Sequence, residues 1–204
     1  MRRTSRFKLR PPTAKHRAAR RNPDDTAADL RAIWPVVARW VAGASFTAGV
    51  NWETILAAHE PVLARLRPTG PLRVYRAAHG RADEFAHPSA WTLDRELAES
   101  LVADSLRFGP QADVRVLLET DVSPDQVWFV LPELQRLADA SDAGILIDSQ
   151  EWDEVVLRAD AYRLTAADKR ALVATKKAWK VIAKLKTAAD KRTAALAFLS
   201  QMAG

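Results

Sequence analysis

Apolar residues recur every three or four positions in the first third of the chain, which predicts two helical stretches. The first follows the capping pattern Thr26-Ala-Ala-Asp29, and Pro35 either kinks it or marks its true start. The second begins near Asn51, with a kink expected at Pro61. Residues 26–69 are therefore expected to form a small helical layer. Three tryptophans of this layer are assigned to its core: Trp34, Trp40 and Trp52.

From residue 70 the pattern changes to short apolar runs bounded by Gly, Pro, Asp and Ser, which is typical of strands. Two helices interrupt these runs, at 94–108 and at 132 to about 140. Because strands and helices do not alternate regularly, the pattern favours an α+β fold over a doubly wound parallel sheet. The predicted strands are 72–76, 90–93, 114–120, 126–131, 145–148 and 154–158.

Both ends of the chain differ from this core. Residues 1–25 combine dense positive charge with prolines and are predicted to be a disordered arm. After residue 160, Thr165-Ala-Ala-Asp168 caps a terminal helix with an apolar stripe and a Lys-rich face, which 190–192 could break in two. This helix could dock on the body, pair with another chain or lie on an anionic surface, and docking is favoured.

Composition excludes several classes of site. The chain has 204 residues, is 48% hydrophobic and contains no cysteine, so it has an ample core but no disulfide, reactive thiol or thiolate metal site. Its four histidines are scattered, which indicates no metal centre. No apolar run is long enough for a membrane span or a secretory signal, and we expect a cytoplasmic protein.

The net charge of +6 hides a strong segregation. Residues 1–21 hold nine basic residues and no acid, and residues 165–204 hold nine basic residues against two Asp. The body between them has 13 basic and 23 acidic residues. An acidic body repels a nucleic-acid backbone, so any polyanionic partner is expected to meet the basic ends.

Three short segments carry the candidate chemistry. A predicted strand ends in Tyr75-Arg76, a second carries Ser89 and Thr92, and an acidic cluster precedes the last strand: Glu151, Asp153 and Glu154. An Arg, a hydroxyl and a Glu on neighbouring strands suit cleavage of the nicotinamide–ribose bond of NAD. The guanidinium binds phosphate, and the carboxylate stabilises a ribosyl oxocarbenium, whose leaving group needs no acid.

Over residues 70–160 the chain resembles the toxin-like Arg-Ser-Glu branch of the ADP-ribosyltransferase superfamily. The resemblance lies in VYR at 74–76, in the hydroxyl motif leading into TLDRELAESL at 92–101, and in EVVL at 154–157. It implies split antiparallel sheets and NAD as the substrate. By this resemblance Arg76 would hold the NAD phosphates or the adenosine ribose, and Glu154 would stabilise the cation.

The same resemblance assigns Ser89, Thr92 and Tyr75 to NAD binding, and Glu151 and Asp153 to the acceptor side. Tyr75 also fits a core position, and Thr92 a helix cap. Two positions depart from the family: the first serine of the hydroxyl motif falls on Ala90, one residue after Ser89, and an acceptor-side Gln or Glu falls on Trp152. Either a bulge brings Ser89 into place or that hydroxyl is missing.

These observations predict an NAD-dependent ADP-ribosyltransferase, or an NAD glycohydrolase in which water replaces a protein or nucleic-acid acceptor. By analogy such a protein would be a phage or toxin effector in a bacterial cell. The alternative is a non-enzymatic virion- or nucleic-acid-associated protein that acts through its basic ends. A third interpretation is a degenerate transferase fold retained for binding.

Overall fold

The computed structural model describes residues 23–42, 50–146 and 153–202, and the predicted arm lies almost wholly outside these residues. Within them the fold is α+β, as predicted. None of the helices in these ranges is long and apolar enough to cross a membrane. The helices are α1 Pro23–Val41, α2 Trp52–Ala57, α3 Glu60–Leu63, α4 Arg95–Phe108, α5 Leu131–Ser141, α6 Ala166–Ile182 and α7 Ala188–Met202.

The first helix differs from its predicted start. Helix α1 already includes Pro23, so Thr26 is not its cap, and it continues through Pro35, which lies on the exposed side. The polar residues of the capping pattern instead bind Arg65. The Arg65 guanidinium donates to the Asp29 carboxylate at 2.8 Å and to the Thr26 hydroxyl at 2.9 Å. These bonds tie α1 to the turn that follows α3.

Five antiparallel strands form one sheet in the order β3-β1-β2-β5-β4. We expected two split sheets, but a single residue pair, Tyr75 with Thr92, joins β1 to β2. The predicted strand at 145–148 was wrong for Ile145 and Leu146, which form no strand, and its other residues lie outside the described ranges. The strands are β1 Leu72–Ala78, β2 Ser89–Thr92, β3 Val116–Val122, β4 Val127–Val130 and β5 Glu154–Leu157.

The apolar residues pack in three clusters around this sheet. One face, including Val74 and Trp91, packs beneath the segment around Phe85 and Tyr162. On the other face, α1, α2, α3 and α5 cover β4 and β5, whereas α4, α7 and the C-terminal half of α6 pack over the β1–β3 half. Two groups of helices therefore cover the two ends of this face, and the strands in the middle of the sheet face the gap between the two groups. The N-terminal half of α6 packs with the first face through Ala171 and Leu172.

The C-terminal segment docks on the body as two helices. Buried Ile182 of α6, together with Ala195 and Leu199 of α7, packs against α4. The break falls between residues 182 and 188 rather than at 190–192, because Thr187 starts a new helix by accepting a hydrogen bond from the Asp190 backbone N–H at 3.0 Å. The hexapeptide TAADKR occurs at 165–170 and again at 187–192, and each copy begins a helix.

Candidate functional site

The three motif strands place their polar residues on one row across the sheet. Tyr75 on β1 pairs with Thr92 on β2, which pairs in turn with Glu154 on β5. Paired residues of antiparallel strands project from the same face, so these three side chains share a face although they are far apart in sequence. The row lies between the two groups of helices.

A cleft of about 290 Å³ opens over this row. It brings together five of the seven predicted site residues, and α4 supplies its apolar wall through Leu97, Ala98 and Leu101. Glu151 lies outside the described residues, and Ser89 does not line this cleft. The predicted residues that line it are Tyr75, Arg76, Thr92, Asp153 and Glu154.

Arg76 occupies the gap where β1 and β2 separate. Extending their register would pair Ala77 with Ala90, but the ladder stops at Tyr75 and Thr92. The Ala90 carbonyl accepts a hydrogen bond from Arg76 Nη1 at 2.8 Å instead. Burial lowers the pKa of Arg76 from its usual value, while the neighbouring Glu84 carboxylate opposes that effect. The arginine side chain thus takes the place of a backbone partner and keeps the middle of the sheet open.

Glu84 holds this arginine and was missed by sequence reasoning. Its carboxylate lies 3.3 Å from Arg76 Nη2, and both side chains are only 14% exposed. The same carboxylate accepts the backbone N–H groups of His79 at 3.3 Å and Gly80 at 3.0 Å. Its position in the polar loop after β1 gave no local sign of this role, because it depends on how residues 79–84 fold back on Arg76.

Glu154 receives a hydrogen bond from the helical layer. The Trp40 indole Nε1 donates to Glu154 Oε1 at 2.6 Å, and the Trp40 ring meets Trp52 edge to face at 5.2 Å between centroids. Trp40 is 2% exposed, so the prediction that it belongs to the core is confirmed. Its indole N–H additionally orients the half-buried carboxylate, because a charge-assisted bond is short and directional.

The two candidate hydroxyls have different environments. Ser89 faces the opposite side of the sheet, is 6% exposed and accepts from Trp91 Nε1 at 3.0 Å. No bulge turns it towards Glu154, because β2 and β5 pair in continuous register from Ser89 to Thr92. Thr92 lies in the cleft, where its Oγ1 accepts the Asp94 backbone N–H at 3.0 Å. The cap of α4 is Asp94 rather than Thr92, because the Asp94 carboxylate accepts the Leu97 backbone N–H at 3.1 Å.

Arg115 and His79 add a guanidinium and an imidazole that were not predicted to belong to the site. Ala78 pairs with Val116, so the residues just beyond this pair, His79 and Arg115, lie at the same end of the cleft. Among the residues that the structure describes, Arg115 has no ion-pair partner and His79 Nδ1, although buried, makes no hydrogen bond. Burial lowers the pKa of His79 below its usual value. Only the register of β1 with β3, a non-local pairing, brings them together.

A second cleft of about 300 Å³ adjoins the first. Arg76, His79, Glu84 and Ala90 border both clefts, while Ser89 and His87 line only the second. Arg76 therefore separates two connected spaces and can reach a ligand from either side. An elongated ligand with an anionic centre would fit with its charged part at Arg76 and its ends in the two clefts.

Comparison with protein-family models, with curated proteins and with solved structures finds no match for this chain. Within the described ranges no three His, Asp or Glu side chains are grouped so that they could hold a metal ion. The side chains that line the cleft supply two guanidinium groups for anion binding, carboxylates for a developing cation and the imidazole of His79 for proton transfer.

Proposed function

We propose that the cleft binds NAD and cleaves its nicotinamide–ribose bond, transferring ADP-ribose to a macromolecular acceptor or to water. The observation that carries this proposal is the convergence of Arg76, Thr92 and Glu154 from three strands on one cleft. The resemblance to ADP-ribosyltransferases requires these groups to meet. The position of Ser89 is a departure from that resemblance, and the proposal gives its hydroxyl no catalytic role.

Anion binding is assigned to the two arginines of the cleft. Arg76 uses two N–H groups for Ala90 and Glu84, and a guanidinium has further donors that can bind a phosphate oxygen. Arg115 supplies a second positive charge in the same cleft. Together they suit a pyrophosphate, whereas the Tyr75 ring and the Leu97 and Leu101 side chains offer an apolar surface for a planar base.

Glu154 is assigned to the reacting centre. As the C1′–N1 bond breaks, its electron pair leaves with the nicotinamide nitrogen, and the ribose acquires a positive charge that the Glu154 carboxylate stabilises. The hydrogen bond from Trp40 holds this carboxylate in place before reaction. The acceptor oxygen or nitrogen then bonds to C1′ and loses a proton, for which the half-buried imidazole of His79 is the candidate base.

The test is release of nicotinamide from NAD by the purified protein, alone and with cell lysate, beside Glu154→Gln. The substitution keeps the side-chain size but removes the negative charge, so we expect release to slow by about 10² or more. The matched control is Glu133→Gln, which makes the same change at a partly exposed position on α5 and should leave the rate unchanged. Absence of release under every condition, or equal rates for all three proteins, would refute the proposal.

A further inference from the structure

All lysines of residues 23–204 lie in the C-terminal segment. They number seven, and they fall between Lys169 and Lys191. The body uses arginine instead, and many of these arginines are tied to carboxylates, as in the pairs Arg73–Asp121 and Arg158–Glu60. A lysine is a strongly hydrated point charge on a flexible stem, suited to contacts without fixed geometry. The surface of α6 therefore differs from that of the body, because its charges are lysines rather than arginines tied to carboxylates.

Helix α6 has an inner and an outer face. Ile182 and Thr175 are buried, and Trp179 donates from Nε1 to the Gly109 carbonyl at 2.9 Å. Leu172 lies over Gly80, whose φ of 69° favours glycine and where an added Cβ would come within 2.8 Å of Leu172 Cδ2. The outer side, together with the turn that follows the helix, forms what we call the basic face. It consists of five exposed cations on α6 and one in the turn: Lys169, Arg170, Lys176, Lys177, Lys180 and Lys184.

The basic face has no neutralising partner within the described part of the chain. None of its six cations takes part in any ion pair there. The segment 165–204 contains only two acids, Asp168 and Asp190. Asp168 is already used at the start of α6, where its carboxylate accepts hydrogen bonds from Thr165 and from the Tyr162 hydroxyl. The positive charge of this face is thus available to an external anion.

The geometry of the basic face suits a phosphodiester backbone. At about 1.5 Å per residue, the distance along α6 from Lys169 to Lys180 is about 17 Å, enough to run beside several successive phosphates. The face holds no Asn or Gln, the side chains that read adenine edges. Its cations can bind phosphate oxygens, and such contacts fix position on the backbone without selecting sequence.

A lipid surface fits the same face less well. An amphipathic helix binds a membrane by burying its apolar side, but the apolar side of α6 already packs on the body. Only Val173 and Val181 are exposed large apolar residues on this helix, and neither is aromatic. We propose that the basic face of α6 binds the sugar-phosphate backbone of nucleic acid, with the acidic body turned away from it.

The test measures binding of the full chain to a fluorescent mixed-sequence duplex of about 20 base pairs over a range of salt concentrations. The variant replaces Lys176, Lys177, Lys180 and Lys184 with Gln. If each lysine neutralises one phosphate, the slope of log K against log salt should fall by about 0.9 per contact, or about 3 to 4 in total. An unchanged slope would overturn the proposal.

A control with the same net charge separates position from total charge. It replaces Arg2, Arg3, Arg6 and Lys8 with Gln in an otherwise unchanged chain. A larger fall in slope for the α6 variant supports the basic face, whereas equal falls would assign the effect to overall charge and overturn it. Vesicles with about 30% phosphatidylserine are the second probe, and tighter binding to these than to the duplex would also overturn it. Neither readout depends on Glu154, so this proposal and that for NAD can fail separately.

Discussion

The cleft and the basic face are both rich in charge, but they hold it differently. In the cleft, Arg76 is bound by Glu84 and Ala90 of the segment that follows β1, and Glu154 is bound by Trp40 from a segment far away in sequence. On the basic face, cations follow one another along a single helix without ion-pair partners among the described residues. A charged side chain that its partners hold in place can be aimed at a reacting group. An exposed, unpaired charge instead attracts ligands of opposite charge over a range that salt shortens.

The largest expected effect on stability follows from unpairing the charge in the cleft. In Glu84→Gln the guanidinium of Arg76 remains charged and mostly buried but loses its carboxylate, which should lower the free energy of unfolding by about 3 kcal/mol. Urea unfolding measures this. The matched change Glu133→Gln breaks the more exposed Arg136–Glu133 pair and should cost about 0.5 kcal/mol or less. Equal losses of unfolding free energy in the two variants would show that the buried charge of Arg76 does not need the Glu84 carboxylate.

The second expected effect distinguishes the role of Trp40 in nicotinamide release from that of its neighbour Trp52. Both are buried and in contact, but Trp40 donates to the Glu154 carboxylate. Trp40→Phe removes that donor and should slow Glu154-dependent nicotinamide release about tenfold by leaving the carboxylate less well positioned. Trp52→Phe removes a similar volume of the same cluster and should keep the rate within about twofold. A tenfold loss in both variants would mean that packing, rather than this hydrogen bond, positions Glu154.

Local sequence signals predicted most elements but not their pairing. The short apolar runs located all five strands to within two residues at each end. Burial alternates along β2, as expected for a pleated strand with one covered face, whereas β4 is buried at every position. The prediction that the C-terminal helix breaks at 190–192 overlooked the repeated hexapeptide, whose second copy contains the Thr187 cap. The false strand at 145–146 shows that a short apolar run need not form a strand, because Ile145 is buried in an irregular segment whereas Leu146 is 87% exposed.

The candidate site was predicted only in part, because local sequence patterns locate strands but do not show which distant segments meet. Arg76, Thr92 and Glu154 each stand in a recognisable strand motif, so sequence could place them on strands. Glu84, Arg115 and Trp40 enter the site only through loop folding, strand register and helix docking, which no local pattern encodes. Ser89 lies three residues before Thr92, so strand alternation turns it to the opposite face of the sheet, where it lines the second cleft instead of the first. Its predicted role in NAD binding stays a prediction.

The third expected effect concerns how stability depends on pH through the half-buried imidazole of His79. Burial lowers the pKa of His79 in the folded protein below the ordinary value of 6.5, so the unfolded chain takes up a proton first as pH falls. The stability contributed by neutral His79 is fully present above pH 6.5 and is lost as pH drops below it. His79→Gln should therefore flatten the decline in stability between about pH 7 and 5, measured by urea unfolding. His87→Gln, at an exposed position, should leave that decline unchanged.

The smallest expected effect has the opposite sign and lies on the basic face. Lys176 and Lys180 are four residues apart on α6, and Lys177 and Lys180 are three apart, so their like charges repel. Replacing Lys176 and Lys177 with Gln, which has a similar helix propensity, should raise the free energy of unfolding by about 0.5 kcal/mol at low salt. The gain should disappear near 1 M salt, where screening shortens the range of the repulsion to about 3 Å. A loss of stability independent of salt would contradict this, because it would mean that these lysines support α6 rather than strain it. A gain would show that the unpaired charge is held at a cost to the fold, in contrast to Arg76, whose partner stabilises it.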